Sequence, residues 1–477
     1  MRTRVRPEEP GPSPDREQID WLASIDSVWV AVAIALPAIV ALASAIIVID
    51  LAYHLRAGNF LLAGRWVGDL PDFSFAESER WIDQQWGAQV VFALLQRLGG
   101  FATLAFSRGV AIAVIAWFVY LSCRARGADR RAASILTSLA TVVALPTLGV
   151  RPQLFGLVLF AAALWILTTR STHPARLWVL PVLAGVWANM HGSVLFLIPM
   201  LLITLWESFS RREPVRSRLA VAAVIAVVGT FVNPYGPSVW VYIAQLTMNP
   251  TVQNLVTEWE PLTIRDSFGV VFFASIGAVV LVLIRRSESV TVFDLLWLGT
   301  FVVVGLSARR SSPWWSLVAA TVVAGLLARR APTSSHGSRV INAGFLLATL
   351  SAALLLLPWW RPVELGHAPS GLVAAVRKAT PPQSRLVVHQ SYASWFEYAL
   401  PDRPVFVDSR IELYERSTWS DYLAIQAGRS DWPQIVDRWQ ADAIVARRSW
   451  KLVPFILEDP GWRLVFDDED GFVFVRA

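Results

Sequence analysis

Long apolar runs alternate with short polar breaks along most of the chain, and the first of them sets the reading. Val28 to Ile49 carries no charge, and about twenty such residues suffice to cross a bilayer as one helix. Further runs lie near 101–123, 132–148, 152–169, 177–189, 192–209, 218–232, 268–284, 292–308, 312–328 and 339–358, which gives about eleven spans in all. The segment 81–98 reads as an amphipathic helix lying on the membrane, ended by Gly99-Gly100. Asp50 is then the first residue beyond the first span, with His54 one turn later on the same helical face.

After residue 358 the period changes. Short apolar stretches at 385–389, 404–407, 443–446, 463–466 and 472–475 predict strands, and helical patterns at 392–400, 416–427, 432–439 and 450–457 alternate with them. The expected architecture is mostly α, a polytopic membrane helix bundle over 27–358 with a small C-terminal α/β domain over 359–477. Residues 1–26, rich in arginine, proline and acids, read as a disordered cytoplasmic tail.

Composition supports the membrane assignment. Hydrophobic residues make up 55% of the 477 and the mean hydropathy is +0.48, above the usual range for soluble domains. The net charge of +6 would suggest a nucleic-acid partner if the basic residues clustered, but they do not. Only Lys378 and Lys451 are lysines, and most arginines sit in short loops between apolar runs. Those arginine loops fall on one side under the eleven-span count, which makes that side cytoplasmic. The C-terminal domain is then extracytoplasmic. Cys123, the one cysteine, excludes an internal disulfide and a CxxC metal site, and reads as a buried filler.

The other face carries the candidate chemistry. It presents Asp50 and His54, the acidic loop that includes Asp69, Asp72 and Asp83, then Arg151, His191, Glu258, Glu260, Arg309 and Arg310. Each has a plain structural reading: a helix end for Asp50, packing for His54, a polar turn for His191, loop ordering for Glu258. Arginines at outer span ends run against the positive-inside trend and need a local partner or lipid phosphate. Together these groups suggest one polar cavity for a ligand with a phosphate head and an apolar tail, because the guanidinium fork matches phosphate oxygens. No acids are paired at metal-binding spacing; a divalent cation is left open, and no other cofactor is called for. Asp408-Ser-Arg410 follows an expected strand, as a ligand loop or as a structural ion pair.

The order of motifs resembles that of GT-C superfamily membrane glycosyltransferases, in particular a bacterial group mostly known as hypothetical. The resemblance rests on D-x-x-x-H-L-R-x-G at 50–58, P-D-F-S at 71–74, W-x-x-x-Q-W at 81–86 and R-P-Q at 151–153. It continues through H-G-S at 191–193, N-P-Y-G at 233–236, E-W-x-P at 258–261 and V-D-S-R-I-E-L-Y at 407–414. It implies transfer of a sugar from a polyprenyl-phosphate carrier to a cell-envelope acceptor outside the cytoplasmic membrane. It implies Asp50, helped by Asp72, as the catalytic carboxylates, with the arginines and histidines on substrate and phosphate. Two positions depart from the group's pattern: Val48 and Gln85 stand where acids are common. A lipid transporter or flippase and a non-catalytic envelope scaffold are the alternatives. A transporter should carry its ionisable groups on broken helices near the bilayer midplane, whereas here they cluster at span ends.

Overall fold

The computed structural model describes residues 24–69, 73–76, 78, 81–328 and 337–477. The tail expected over 1–26 falls almost wholly outside them, and so does the catalytic candidate Asp72.

The chain begins with α1 (Asp26–Ala43), and the helix stops there, short of the expected end at Ile49. Residues 44–48 leave the helix instead, because β1 (Ile46–Ile47) pairs in parallel with β2 (Leu365–Gly366), and Ile49-Asp50 turn into the next helix. Asp50 therefore does not cap a continuous span. It precedes a separate short helix, α2 (Leu51–Leu62), whose first turn closes when the His54 N–H donates to the Asp50 carbonyl at 3.2 Å. Val48 is fully buried beside Ile46, Leu51, Leu55 and Phe92. An acid there would lie in apolar packing, so this chain has given the position to the core.

The helix α3 (Trp86–Ala125) corrects a second expectation. It starts at Trp86, not 81, but its first segment does end at Gly99-Gly100 as expected: both glycines have non-helical backbone, and a second helical segment runs on from there to Ala125. Gly100 has a φ of +65°, a left-handed conformation that glycine alone adopts at little cost. Then follow α4 (Arg130–Ala144), α5 (Pro152–Thr168), α6 (Leu180–Met190), α7 (Leu197–Ser210) and α8 (Arg216–Gly229). Two short helices absent from the expected spans, α9 (Ser238–Met248) and α10 (Pro250–Leu255), come next. The bundle closes with α11 (Ser267–Arg285), α12 (Val292–Ser307), α13 (Ser312–Leu327) and α14 (Arg339–Leu355).

Among the described residues, 26–43, 86–125, 192–210 and 267–285 are helical segments long and apolar enough to cross a membrane, and they match four of the expected spans. Shorter apolar helices lie at 152–168, 238–248, 292–307 and 339–355. At the end of α3 remote from Asp50, Arg126 pairs with Asp294 at 2.6 Å, and Arg170 pairs with Glu207 and Glu213 at 2.9 and 2.8 Å. The first pair ties α3 to α12, and the second group ties the end of α5 to α7 and to the turn that follows it.

Beyond 365 the chain forms α15 (Ser370–Ala379), β3 (Leu386–Val388), α16 (Gln390–Ala399), α17 (Arg416–Gln426) and α18 (Trp432–Arg438). It ends in β4 (Ala443–Arg447), α19 (Val453–Glu458), β5 (Trp462–Asp467) and β6 (Gly471–Arg476). The strands lie in the order β3-β4-β6-β5; β3 and β4 run parallel and the other two pairings are antiparallel. Alternate residues feed two cores: Ile444 and Phe474 face one, Val445 and Val473 the other. That is the period-two division of a sheet covered on both sides. The strand expected at 404–407 is reduced to bridges from Val405 to Leu386 and Ser74. The bridge to Ser74 brings this region to the loop after α2, and α16 packs directly on α2.

Candidate functional site

Where α2, α3, α5 and the C-terminal region meet, a cavity of about 110 Å³ opens. Asp50, His54, Arg151, His191, Glu258 and Arg310, from five separate stretches of sequence, all line it.

Local chain geometry explains each placement. Arg151 precedes Pro152 at the start of α5, and a residue before proline is driven to extended backbone; its φ and ψ are −140° and 156°. The side chain thereby leaves the helix axis and reaches the carboxylates of Glu258, as a direct ion pair, and Asp50, at 3.6 Å. His191 caps α6 in extended conformation and its Nδ1 accepts the Ser193 N–H at 3.0 Å. A backbone N–H can only donate, so the His191 proton sits on Nε2. Arg310 lies in a short 3-10 turn before α13, its guanidinium 5.0 Å from the centre of the Trp259 ring. Among the described residues the Arg310 side chain has no ion-pair partner. Its carbonyl accepts from Gln153 Nε2 at 2.7 Å, which fixes the turn.

Arg309 goes elsewhere. Its side chain pairs with Asp266 at 3.1 Å and with Glu260 at 3.7 Å, and it does not line the cavity. The two neighbours are thus divided between an outer structural pair and the cavity.

The electrostatics set distinct roles. Burial raises the Asp50 carboxyl above the usual value against the pull of Arg151. Burial acts the same way on Glu258, but Arg151 and Arg310 outweigh it and hold that carboxyl below the ordinary range. Loss of water contact, then the nearby Arg151, pushes His54 well below 6.5. Loss of water contact and Arg310 bring His191 down to about 3. Both rings are neutral at physiological pH. The cavity therefore offers a basic carboxylate, one unpaired guanidinium and two uncharged imidazoles.

The lining residues to which sequence patterning gives no role are Tyr53, Gln153, Trp259, Ile411 and Glu412; Gln85 enters it only as a departure, and Ser409-Arg410 belong to the candidate loop at 408–410. The last comes from the C-terminal region. Arg410 is 3% exposed; its Nε donates to Asp408 at 2.9 Å, and its guanidinium lies 4.5 and 4.7 Å from the Trp81 and Phe73 ring centres. Asp408-Ser-Arg410 is therefore both a buried ion pair and part of the cavity wall. Glu412 accepts the Tyr242 hydroxyl proton at 2.9 Å. Only the position of 408–410 after an expected strand hinted at this. Among the described residues no three His, Cys, Asp or Glu side chains are grouped as a metal site would require.

No protein-family profile and no curated protein matches the chain. Solved structures do. An Archaeoglobus fulgidus oligosaccharyltransferase, AglB, in complex with an inhibitory peptide and a dolichol-phosphate, superposes with a TM-score of 0.60 at 12% identity, over 95% of this chain and 75% of that one. A structure of the Archaeoglobus fulgidus oligosaccharyltransferase tethered to an acceptor peptide gives 0.58 at 12% identity, over 96% and 75%. ArnT from Cupriavidus metallidurans in the apo state gives 0.50 at 13% identity, over 98% and 99%. The chain has the GT-C fold of these membrane proteins.

Proposed function

We propose that this chain is a membrane glycosyltransferase that moves a sugar from a polyprenyl-phosphate donor to a cell-envelope acceptor on the extracytoplasmic face. The N-terminus lies inside, and the region after 358 lies outside as a separate domain. The observation that carries this reading is the convergence of Asp50, Arg151, His191, Glu258 and Arg310 on one cavity in a GT-C fold.

The chemistry follows from the charges. The acceptor hydroxyl oxygen attacks the anomeric carbon while its proton passes to the Asp50 carboxylate, which burial makes a stronger base than a free aspartate. The bond from that carbon to the phosphate oxygen breaks, and the electron pair leaves with the polyprenyl phosphate. The unpaired Arg310 guanidinium meets the charge that develops there. Arg151, already bridging Asp50 and Glu258, holds the base in place. Asp72 is a second carboxylate of the same loop in this proposal.

Purified protein incubated with labelled polyprenyl-phosphate sugars tests the proposal, beside an Asp50→Asn variant. Turnover by the parent and a loss of roughly 10²–10⁴-fold in the variant is the expected result. Binding without turnover by the parent would favour a scaffold, and vectorial lipid movement without glycosyl transfer would favour a flippase.

A further inference from the structure

A second buried carboxylate stands behind the cavity. Asp83 is 1% exposed, Gln89 0% and His54 2%, and the three form a chain. Gln89 Nε2 donates to Asp83 Oδ1 at 3.0 Å and lies 3.2 Å from His54 Nδ1. Among the described residues, Gln89 Oε1 and Asp83 Oδ2 are buried with no hydrogen-bond partner. A glutamine amide can be turned either way at such a site, and which way it faces decides what the histidine is.

The backbone settles the orientation. Asp83 Oδ1 also accepts the Gln85 N–H at 3.2 Å, and a peptide N–H has no lone pair to offer. As a carboxylate Asp83 has no proton to give, so Oδ1 accepts from both sides, and a proton taken up on Oδ2 leaves that arrangement in place. The Gln89 atom facing it must be the NH₂ group, and the second hydrogen of that group points at His54 Nδ1. Nδ1 thus accepts, and the ring proton is on Nε2. Gly58 makes this approach feasible: a Cβ there would overlap the Gln89 carbonyl and crowd Ala93, so only glycine lets α2 lie this close to α3.

We propose that Asp83 is a positioning residue of the site: through the Gln89 amide it holds His54 as the Nε2–H tautomer, a hydrogen-bond donor in the cavity and not a base. His191 is held in the same tautomer by the Ser193 N–H. The two imidazoles thus present matching donors, suited to oxygens of a phosphate or of the sugar ring, and Asp50 is left as the proton acceptor. The inference rests on the proposed transferase activity only for its kinetic readout.

The test uses full-length protein labelled with ¹⁵N-histidine in detergent, with His54→Gln assigning the His54 signals. The parent and Asp83→Asn, whose Oδ1 can still accept from Gln85 and Gln89, should both show a protonated Nε2 and a bare Nδ1 at neutral pH. Asp83→Ala and Gln89→Leu should show a mixture of tautomers. In turnover, Asp83→Ala and Gln89→Leu should lose roughly tenfold or more in kcat, with KM for the donor little changed. Asp83→Asn should restore most of the kcat lost in Asp83→Ala. A parent His54 protonated on Nδ1, or tautomers unaltered in both Asp83→Ala and Gln89→Leu, would overturn the proposal. A parent that turns over no polyprenyl-phosphate sugar counts against the transferase reading, while the spectra still decide the tautomer.

Discussion

Adjacent arginines in this site are not equivalent, and that gives the sharpest single-residue contrast. Arg310→Gln should lower kcat/KM by roughly 10²-fold or more, as removal of one charge-stabilising donor does in other enzymes. Arg309→Gln breaks the outer pair with Asp266 and Glu260, and parallel turnover assays should find its rate within a few-fold of the parent. The pH profile should show one acid limb. Both histidines are already neutral near pH 7, so rate should not fall through their ordinary range. It should fall only as Asp50 protonates, at a pH above the ordinary aspartate value. Asp83 adds a stability term of the opposite kind. Burial raises it from 3.8 to about 7, so the folded state binds a proton that the unfolded chain has lost. Stability should therefore drop as pH rises between about 4 and 7, by up to about 4 kcal/mol, and denaturant unfolding of Asp83→Asn should show a flatter dependence. Asp50, His54 and Arg151 could be picked out from sequence because each sits at the edge of an apolar run or before a proline. Gln89 could not: it is a polar residue inside a helix, and only its partners give it a role.

Among the helices, closeness of approach decides what works. Gly58→Ala would push α2 off α3, since the added carbon meets the Gln89 backbone. We expect a loss of about 1–3 kcal/mol from overpacking, measurable in thermal unfolding, together with reduced turnover, because His54 and Gln89 separate. Gly100→Ala should cost about 1–3 kcal/mol, because its backbone lies in a region essentially confined to glycine, and leave the cavity residues where they are. The apolar runs revealed most of the helices, since burial in lipid or core leaves a continuous signature. They misplaced the end of α1 because Ser44 to Ile49 is as apolar as a span, and its departure from the helix depends on a strand partner far along the chain. They missed α9 and α10 because these helices, of 11 and 6 residues, are too short to read as spans, although α9 is apolar. The Gly99-Gly100 pair reads as a stop signal, and the helical backbone does break there, with a new helical segment setting off beyond it.

At the scale of the whole molecule, the cavity belongs to neither the bundle nor the C-terminal region alone. The 409–412 stretch forms part of its wall, and Arg410 is boxed between Asp408 and rings of the loop after α2. Arg410→Met would strand a buried Asp408 charge and should cost about 3–5 kcal/mol, read by thermal unfolding. Sequence periodicity indicated a sheet-bearing C-terminal segment but not its docking, which depends on α16 meeting α2 and on isolated bridges too short to leave a pattern. The parallel pairing of Ile46-Ile47 with Leu365-Gly366 has a further outcome. The strand just ahead of Asp50 finds its partner more than three hundred residues later, so a ribosome must deliver nearly the entire bundle before that edge can close. Throughout synthesis the nascent chain holds the Asp50 carboxylate in an unfinished vestibule, and completion of the cavity becomes one of the last events in biogenesis.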